Sequence, residues 1–326
     1  MKPPITLSQA IAGYLLDARA RHLSIHTIAD YTNSFRKLQV FLGEDPPLAS
    51  ITPGDIRKFL ADLATPRAPA GIAPRPIRPL SKKTVLNIHT GLSALWTWAV
   101  HEHIIPHQII RDIGRPKPER PVIVPFTQDD VRRLLAVCDR TRPYTRPGQR
   151  ISDNARPAAL RDRAIILVLL DTGVRASELC DLRLRHCDLR NSRITVMGKG
   201  SKERDLPLGP STTKALWRYI TVIRDLTEAT TDDRVFLGRG NRPMTRHALQ
   251  KLLLRLGARA EVPDCHPHRF RHTFAITYLR NGGNTLALQA CLGHETMEMV
   301  AIYATIAQAD IENGHKLASP VENWRL

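Results

Sequence analysis

The most informative stretch of this 326-residue sequence is His268-Arg269-Phe270-Arg271-His272-Thr273-Phe274. Three other stretches form an ordered set with it: Asp171-Thr172-Gly173-Val174-Arg175-Ala176-Ser177-Glu178-Leu179, Gly198-Lys199-Gly200-Ser201-Lys202-Glu203-Arg204, and Leu292-Gly293-His294 followed by Tyr303. Arg175 and Lys199 are 24 positions apart, 23 positions separate Arg271 from His294, and Tyr303 lies nine positions after His294. Each stretch alone is weak evidence of function, but their order and spacing together form a specific pattern.

This pattern resembles the motifs of the tyrosine recombinase (phage integrase) family, and especially of its two-domain, Xer-like members. The resemblance extends over the whole chain. It implies a mainly helical protein of two domains, in which an N-terminal helical, SAM-like core-binding bundle precedes a mixed α/β catalytic domain with a small antiparallel sheet.

The boundary between these domains can be placed from the residues themselves. Four prolines alternate with charged residues between positions 113 and 125, which indicates an extended linker. We therefore expect the helical DNA-binding domain over residues 1–112, the linker over 113–125, and the catalytic domain with a C-terminal tail over 126–326.

The N-terminal domain is predicted to contain four helices, because its apolar residues recur at helical spacing. Ser24, Thr52 and Ser81 stand directly before three of these helices and are suitable N-caps, and Pro53 favours the first helical position. Four helices of this size can close a small bundle.

The catalytic domain begins with a helix for which Thr127 is a candidate cap, and residues 160–170 predict a strongly apolar helix. Residues 193–197 and 204–208 predict two short strands around a glycine-containing turn, which is a β-hairpin. From Ser211 onward the pattern is helical again.

The composition points independently to a polyanionic partner. Lys and Arg number 48 against 31 Asp and Glu, which gives a formal charge of +17. Such an excess favours nucleic acid first and an anionic membrane surface second. The sequence contains no basic amphipathic helix with a clean apolar face, no signal peptide, and no apolar run near the ~20 residues of a bilayer span. The five cysteines without a CxxC indicate free thiols, and we expect a cytoplasmic, DNA-associated prokaryotic protein.

The family resemblance implies that Tyr303 is the nucleophile, which attacks a DNA phosphate to form a 3′-phosphotyrosyl link and free a 5′-hydroxyl. Arg175 and Arg271 would stabilise the charge on the non-bridging oxygens, a task that suits a planar, always protonated guanidinium. His268 would donate to the phosphate or act as the base toward the nucleophile, and His294 would donate a second hydrogen bond.

Two further residues complete the implied site. Lys199 would be the general acid that protonates the departing 5′-oxygen, which is a poor leaving group. Glu178, three residues after Arg175 and therefore on the same helix face, would orient the active-site groups. Because the phosphotyrosine conserves the bond energy, the resemblance implies no metal ion and no other cofactor.

Some of these assignments have competitors within the motifs. Lys202 competes with Lys199 for the role of acid, and the family spacing favours Lys199. His266 and Arg269 repeat the spacing of the preferred histidine and arginine, whose register is fixed by the residues that follow. Four side chains could be imagined as a zinc site, although their spacing matches no usual zinc pattern: Cys265, His266, His268 and His272.

Other cations are candidates for contacts with the DNA backbone. Two loops rich in proline and arginine, residues 65–79 and 140–156, either extend the DNA contact surface or are solvated connectors. The candidate DNA-contacting residues are Arg67, Arg75, Arg78, Arg142, Arg146, Arg150, Lys202 and Arg269.

The sequence therefore predicts a cofactor-independent, site-specific recombinase that acts on double-stranded DNA with a core recombination site, in integration, excision or dimer resolution. The resemblance implies that four protomers, monomeric or dimeric when free, assemble on two sites and exchange strands through a Holliday junction. Residues 306–317 and Trp324 of the tail are candidates for docking onto a neighbouring protomer.

Two other DNA-binding functions remain as alternatives. A type IB-like topoisomerase would use similar tyrosine chemistry, but the helical N-terminal domain and the motif spacing disfavour it. A non-catalytic regulator derived from an integrase is disfavoured because all six catalytic positions are intact.

Overall fold

The computed structural model describes residues 3–65, 79–118, 123–139, 158–198, 203–224 and 230–293, and the single positions 301, 303, 319 and 321. The chain divides into two compact units, Met1–Pro121 and Val122–Leu326. The division falls within residues 113–125. Each unit has its own hydrophobic core.

The first unit is helical. Its described helices are α1 (Leu7–Ala20), α2 (Ile25–Leu42), α3 (Pro53–Leu63) and α4 (Lys82–His101), with short 3-10 turns at Leu48–Ser50 and Ile109–Asp112. The predicted N-caps are confirmed, because the side chains of Ser24, Thr52 and Ser81 each accept a hydrogen bond from a backbone N–H of the first turn. Pro53 occupies the first turn of α3, as predicted.

The core of the first unit is built from the apolar stripes of these helices. α4 packs against α1, α2 and α3, and its Trp96 is fully buried. Tyr14 of α1 meets Phe35 of α2 edge-on, with the ring centroids 5.7 Å apart. The helical spacing of the apolar residues thus places one face of each helix in a shared core.

The second unit is a mixed α/β structure. Its described elements are, in chain order, α5 (Gln128–Asp139), α6 (Ala159–Thr172), α7 (Ala176–Asp181), β1 (Cys187–Asp188), β2 (Arg193–Met197), β3 (Glu203–Pro207), α8 (Pro210–Arg218), α9 (Arg246–Ala260), α10 (Pro267–Arg280) and α11 (Thr285–Leu292). A π-helical turn, Tyr219–Ile223, continues α8. No helix in the described ranges is long and apolar enough to traverse a lipid bilayer.

Helix α6 lies at the centre of this unit. It confirms the strongly apolar helix predicted at 160–170, and α5, α8 and α10 all pack against it. The fully buried side chains of α6 include Ile165, Ile166 and Leu169. A helix that is covered on several sides is apolar on several sides, which explains why residues 164–170 of α6 include no polar side chain.

The predicted hairpin is confirmed as β2 and β3, which pair antiparallel with Val196 opposite Arg204 and Ile194 opposite Leu206. The turn at 199–202 lies outside the described residues. A short third strand, β1, pairs with β2 on its other edge and was not predicted. The described sheet has the order β1-β2-β3 and is antiparallel.

The helical pattern predicted from Ser211 onward is wrong between residues 230 and 245. This segment is irregular and lies along residues 182–185, where the Leu184 amide donates to the Asp233 carbonyl at 3.0 Å and the Val235 amide to the Leu182 carbonyl at 2.8 Å. Gly240, with φ +68°, and Pro243 disfavour an α-helix here, and Arg239–Asn241 form only a 3-10 turn.

Gly173 ends α6, and a substitution at this position tests how tightly the second unit is packed. Its φ is +62°, and a Cβ at this position would lie 2.4 Å from Cδ1 of Phe274. We expect Gly173→Ala to lower the free energy of unfolding by roughly 1–3 kcal/mol, because it adds both backbone strain and overpacking. Urea unfolding measures the change.

Gly238→Ala is the matched control. Its backbone is extended, and the nearest atom to a new Cβ would be 3.6 Å away. A change within about 0.5 kcal/mol is expected there. Equal effects of the two substitutions would contradict the packing described for Gly173.

Candidate functional site

Arg271 is buried on the inner side of α10 and connects three elements. Its Nη1 donates to the carbonyl of Gly173 at 2.8 Å, and its Nη2 donates to the carbonyl of Leu292 at 2.7 Å. Burial, and then the charge of Arg175, lower the pKa of Arg271 to about 10, so the side chain remains cationic at neutral pH. The ends of α6 and α11 are thereby held to α10 by one guanidinium.

Arg175 lies directly before α7, and its side chain is one-third exposed. Its Nη1 donates to Oε1 of Glu178 at 2.8 Å, its backbone N–H donates to Oε2 of Glu178 at 2.8 Å, and its Nη2 donates to the carbonyl of Gly293 at 3.2 Å. Arg175 and Glu178 were predicted to lie on one face of a helix, and the structure corrects this arrangement. Arg175 is the N-cap residue, and Glu178 in the first turn reaches back to it.

Glu178 is the buried centre of this network, with 3% of its side chain exposed. Arg204 of β3 donates from Nη1 to Oε1 at 3.0 Å and from Nη2 to Oε2 at 2.8 Å. Burial alone would raise the pKa of Glu178, but the hydrogen bonds from Arg204 and Arg175 hold it below its usual value. Glu178 is therefore an ionised carboxylate shared by two arginines.

Arg204 ends one of the four sequence motifs, but the motif pattern gave it no role. Its Nε also donates to the carbonyl of Cys291 at 2.8 Å. The alternation of β3 could have identified it, because a strand residue two positions before the buried Leu206 faces the same side of the sheet.

Tyr303 is 2% exposed and packs with Leu288 and Leu292 of α11. Its Oη lies 2.9 Å from Nδ1 of His272. Burial raises the pKa of Tyr303, while the charges of Arg271 and Arg175 act in the opposite direction. The structure thus places the predicted nucleophile close enough to the two predicted phosphate-binding arginines for their charges to act on its phenol.

His272 is the second residue whose contact the motif pattern did not reveal, because nothing in the spacing of the motifs pairs it with Tyr303. Burial, followed by the charge of His268, lowers the pKa of His272 to about 4. The imidazole is therefore neutral at pH 7, and with Nε2 protonated its Nδ1 accepts the hydrogen bond of the phenol. His268 is exposed in the first turn of α10, one helical turn before His272.

The structure assigns Arg269 a different environment from the predicted DNA contact. Its guanidinium donates to the carbonyls of Val124 at 3.0 Å and Pro263 at 2.5 Å, and it lies 4.1 Å above the ring of Phe126. Only 12% of its side chain is exposed. Arg269 therefore holds the start of the second unit to α10, an arrangement that leaves little of its guanidinium available for the predicted contact with DNA.

Several other predicted residues lie outside the described part of the chain. The candidate acid Lys199 and the candidate phosphate donor His294 are among them, as are the tail residues 306–317 and Trp324. The candidate DNA-contacting residues that also lie outside the described part of the chain are Arg67, Arg75, Arg78, Arg142, Arg146, Arg150 and Lys202.

Comparison with known proteins supports the same interpretation. The sequence profile described as "Phage integrase family" matches residues 125–310. The chain is similar to a tyrosine recombinase XerC of Mycobacterium sp. (strain JLS), with 30% identity over 317 residues that cover 94% of this chain and 98% of that protein. It is also similar to a tyrosine recombinase XerC of Yersinia pestis, with 29% identity over 232 residues, or 71% of each chain.

Two solved structures share the fold. The Tn1549 transposon integrase in complex with a circular intermediate DNA superposes with a TM-score of 0.71 at 22% identity, covering 95% of this chain and 99% of that chain. The XerH site-specific recombinase bound to a palindromic difH substrate gives a TM-score of 0.69 at 19% identity, covering 95% and 84%. The predicted fold class, a helical N-terminal region with a mixed α/β catalytic domain, is confirmed.

The low pKa of His272 makes a prediction about stability. The unfolded chain takes up a proton at this imidazole near its usual pKa of ~6.5, whereas the folded protein takes it up only at about 4. Stability must therefore fall as the pH decreases between these values. From pH 6.5 to 4.5, we expect wild type to lose about 1–2 kcal/mol more unfolding free energy than His272→Gln.

Urea unfolding across this pH range measures the difference. His247→Gln, which removes an exposed imidazole of α9, is the control and is expected to follow wild type. Parallel curves for wild type and His272→Gln would show that His272 is not held neutral by the fold.

Proposed function

Because this chain belongs to the phage integrase family and is a site-specific tyrosine recombinase similar to XerC, we propose that Tyr303 is its nucleophile and that Arg175 and Arg271 bind the scissile phosphate. The observation that carries this proposal is the position of the Tyr303 hydroxyl. It lies within hydrogen-bonding distance of His272, and the charges of Arg271 and Arg175 act on its phenol.

The proposed reaction is an exchange of phosphate esters. Tyr303 Oη attacks phosphorus, the bond to the 5′-oxygen breaks, and a 3′-phosphotyrosyl link forms. The phenolic proton passes to an imidazole, and His272 is the one that contacts Oη at 2.9 Å. Lys199 gives a proton to the departing 5′-oxygen. A 5′-hydroxyl from a second strand reverses these steps, so the exchange needs no external energy.

The arginines suit the charge that develops at phosphorus. A guanidinium stays protonated and can donate two parallel hydrogen bonds to phosphate oxygens. Arg175 is partly exposed and can reach a ligand. Arg271 is buried and would bind the phosphate from the protein interior. His268, exposed at the start of α10, and His294 supply further hydrogen-bond donors to the same phosphate.

The buried position of Tyr303 has a consequence for the cycle. With 2% of its surface exposed, the Tyr303 side chain must become accessible before its hydroxyl can attack a phosphate of duplex DNA. In this proposal DNA binding exposes the phenol, and its burial protects it from reacting with other phosphates in the free protein.

The proposed substrate is double-stranded DNA with a core recombination site. Two proteins of the same fold, the Tn1549 transposon integrase and the XerH recombinase, have been solved in complex with DNA, which supports this substrate class. We extend the proposal to a homotetramer on two sites that exchanges strands through a Holliday junction, in integration, excision or dimer resolution. Such a protein acts on DNA in the cytoplasm.

Covalent trapping tests the nucleophile. A pool of nicked duplexes with a randomised central region is incubated with the full chain, and protein–DNA adducts are recovered under denaturing conditions. The nick lets the short 5′-hydroxyl fragment diffuse away, so that the adduct accumulates. We expect an adduct with wild type and none with Tyr303→Phe, because the phenolic oxygen forms the covalent bond.

Tyr278→Phe removes a hydroxyl from a tyrosine packed in the same small cluster and should leave the adduct intact. An adduct of wild-type yield with Tyr303→Phe would refute the proposed nucleophile. Relaxation of plasmids that lack the recovered sequence would instead favour a type IB-like topoisomerase.

The net charge of +17 makes a second prediction. The logarithm of the DNA association constant should fall linearly with the logarithm of the salt concentration, with a slope of about 0.9 for each phosphate neutralised. Fluorescence anisotropy of a labelled duplex with Tyr303→Phe measures binding without cleavage. A slope near zero would contradict a cationic DNA-binding surface.

A further inference from the structure

Arg204 is a charged residue on the inner face of a strand. It lies opposite Val196 in the hairpin and two positions before Leu206, and both of these apolar side chains are buried. Only 13% of the Arg204 side chain is exposed. A cation in such a position is stabilised only if its donors are satisfied by well-placed acceptors.

Its acceptors come from two separate elements. Both terminal nitrogens donate to the two oxygens of Glu178, at 3.0 and 2.8 Å, and Nε donates to the carbonyl of Cys291 at 2.8 Å. The planar fork of a guanidinium can make these bonds simultaneously, whereas a lysine ammonium cannot. Arg204 therefore connects β3 to α7 and to the end of α11.

The contact with Glu178 fixes the predicted phosphate ligand. The same carboxylate accepts from Nη1 and from the backbone N–H of Arg175, at 2.8 Å each. With Arg204 on one side and Arg175 on the other, Glu178 has a defined orientation in the buried interior. Loss of Arg204 would leave the carboxylate free to rotate toward Arg175 and to draw its guanidinium away from the phosphate.

The hydrogen bond to Cys291 is one of three that arginines donate to consecutive backbone carbonyls. The carbonyls of Cys291, Leu292 and Gly293 accept in turn from Arg204, Arg271 and Arg175. These are the carbonyls of the last two residues of α11 and of its C-cap Gly293, where the helix dipole is negative and cations bind favourably. His294 is the next residue along the chain.

We propose that Arg204 is a positioning residue of the recombinase, which aligns Arg175 through Glu178 and anchors the end of α11 that leads to His294 and Tyr303. Arg204 touches neither the nucleophile nor the DNA in this proposal. Its effect appears in the rate of cleavage and not in the affinity for DNA. The proposal rests on the proposed function, since it assumes that Arg175 and Tyr303 act on DNA.

The test compares single-turnover cleavage of the recovered nicked duplex by wild type, Arg204→Lys and Arg204→Gln. We expect both variants to cleave about tenfold more slowly or worse, because a displaced ligand lowers the rate far more than it lowers binding. Arg204→Lys keeps the charge but not the fork, so it should rescue little. DNA affinity, measured in the Tyr303→Phe background, should stay within about threefold of wild type.

The pH profile separates positioning from a purely structural role. Without Arg204, burial of Glu178 is no longer offset by its strongest hydrogen-bond donor, and the pKa of Glu178 rises. The acidic limb of the cleavage rate should therefore move to higher pH in both Arg204 variants. In a Glu178→Gln background, the Arg204→Lys substitution should have a smaller effect on the rate, since the two residues act together.

Arg193→Gln is the matched control, because it removes a half-exposed arginine from the neighbouring strand of the same sheet. It should cleave as wild type does. Absence of any wild-type adduct would refute the proposed function itself. If wild type forms the adduct and the Arg204 variants show an unchanged cleavage rate and an unchanged pH dependence of that rate, only the role of Arg204 would be refuted. If thermal unfolding showed that both variants fail to fold, Arg204 would serve the fold alone, which also contradicts the proposal.

Discussion

The second unit depends on one buried ion network, the carboxylate of Glu178 with two arginines. Glu178 is 3% exposed and receives hydrogen bonds from Arg175 and Arg204. An uncompensated charge at that depth would be strongly destabilising, so neither arginine can be removed without consequence. The network fixes three elements that are distant in sequence: the start of α7, the strand β3 and, through Arg204, the end of α11.

The end of α11 shows what this constraint achieves. Three arginines from different elements donate to the carbonyls of its last two residues and of Gly293, which caps it, and the chain continues from there to His294 and Tyr303. The two arginines proposed to bind phosphate, Arg175 and Arg271, are therefore held at the point from which the chain continues to the proposed nucleophile. Under the proposed function, the positions of these two arginines are set before a phosphate binds, which is the condition for effective electrostatic catalysis.

Much of the fold could be predicted from the sequence because the deciding interactions are local. The caps at Ser24, Thr52 and Ser81 bind amides within three residues, and the apolar spacing of the helices is a property of each segment alone. The irregular segment at 230–245 was missed because it is held by backbone bonds to residues 182–185. The local sequence of residues 230–245 does not indicate that residues 182–185 are their partner.

The candidate site divides in the same way. Arg175, Arg271 and Tyr303 stand out through their spacing in the chain, and the structure brings them together. The roles of Arg204 and His272 did not follow from the sequence, because their partners lie 26 and 31 residues away. The burial of Arg269 against Phe126 was missed for the same reason, since basic residues beside a motif usually favour a contact with DNA.

The most direct test of the account is to locate the covalent bond between the protein and DNA. Tryptic digestion of the trapped adduct should yield residues 281–316 as one peptide, in which Tyr303 is the sole tyrosine. We expect mass spectrometry to find the nucleotide phosphate on this peptide, at Tyr303. Attachment to any other residue would contradict the site organised around Glu178.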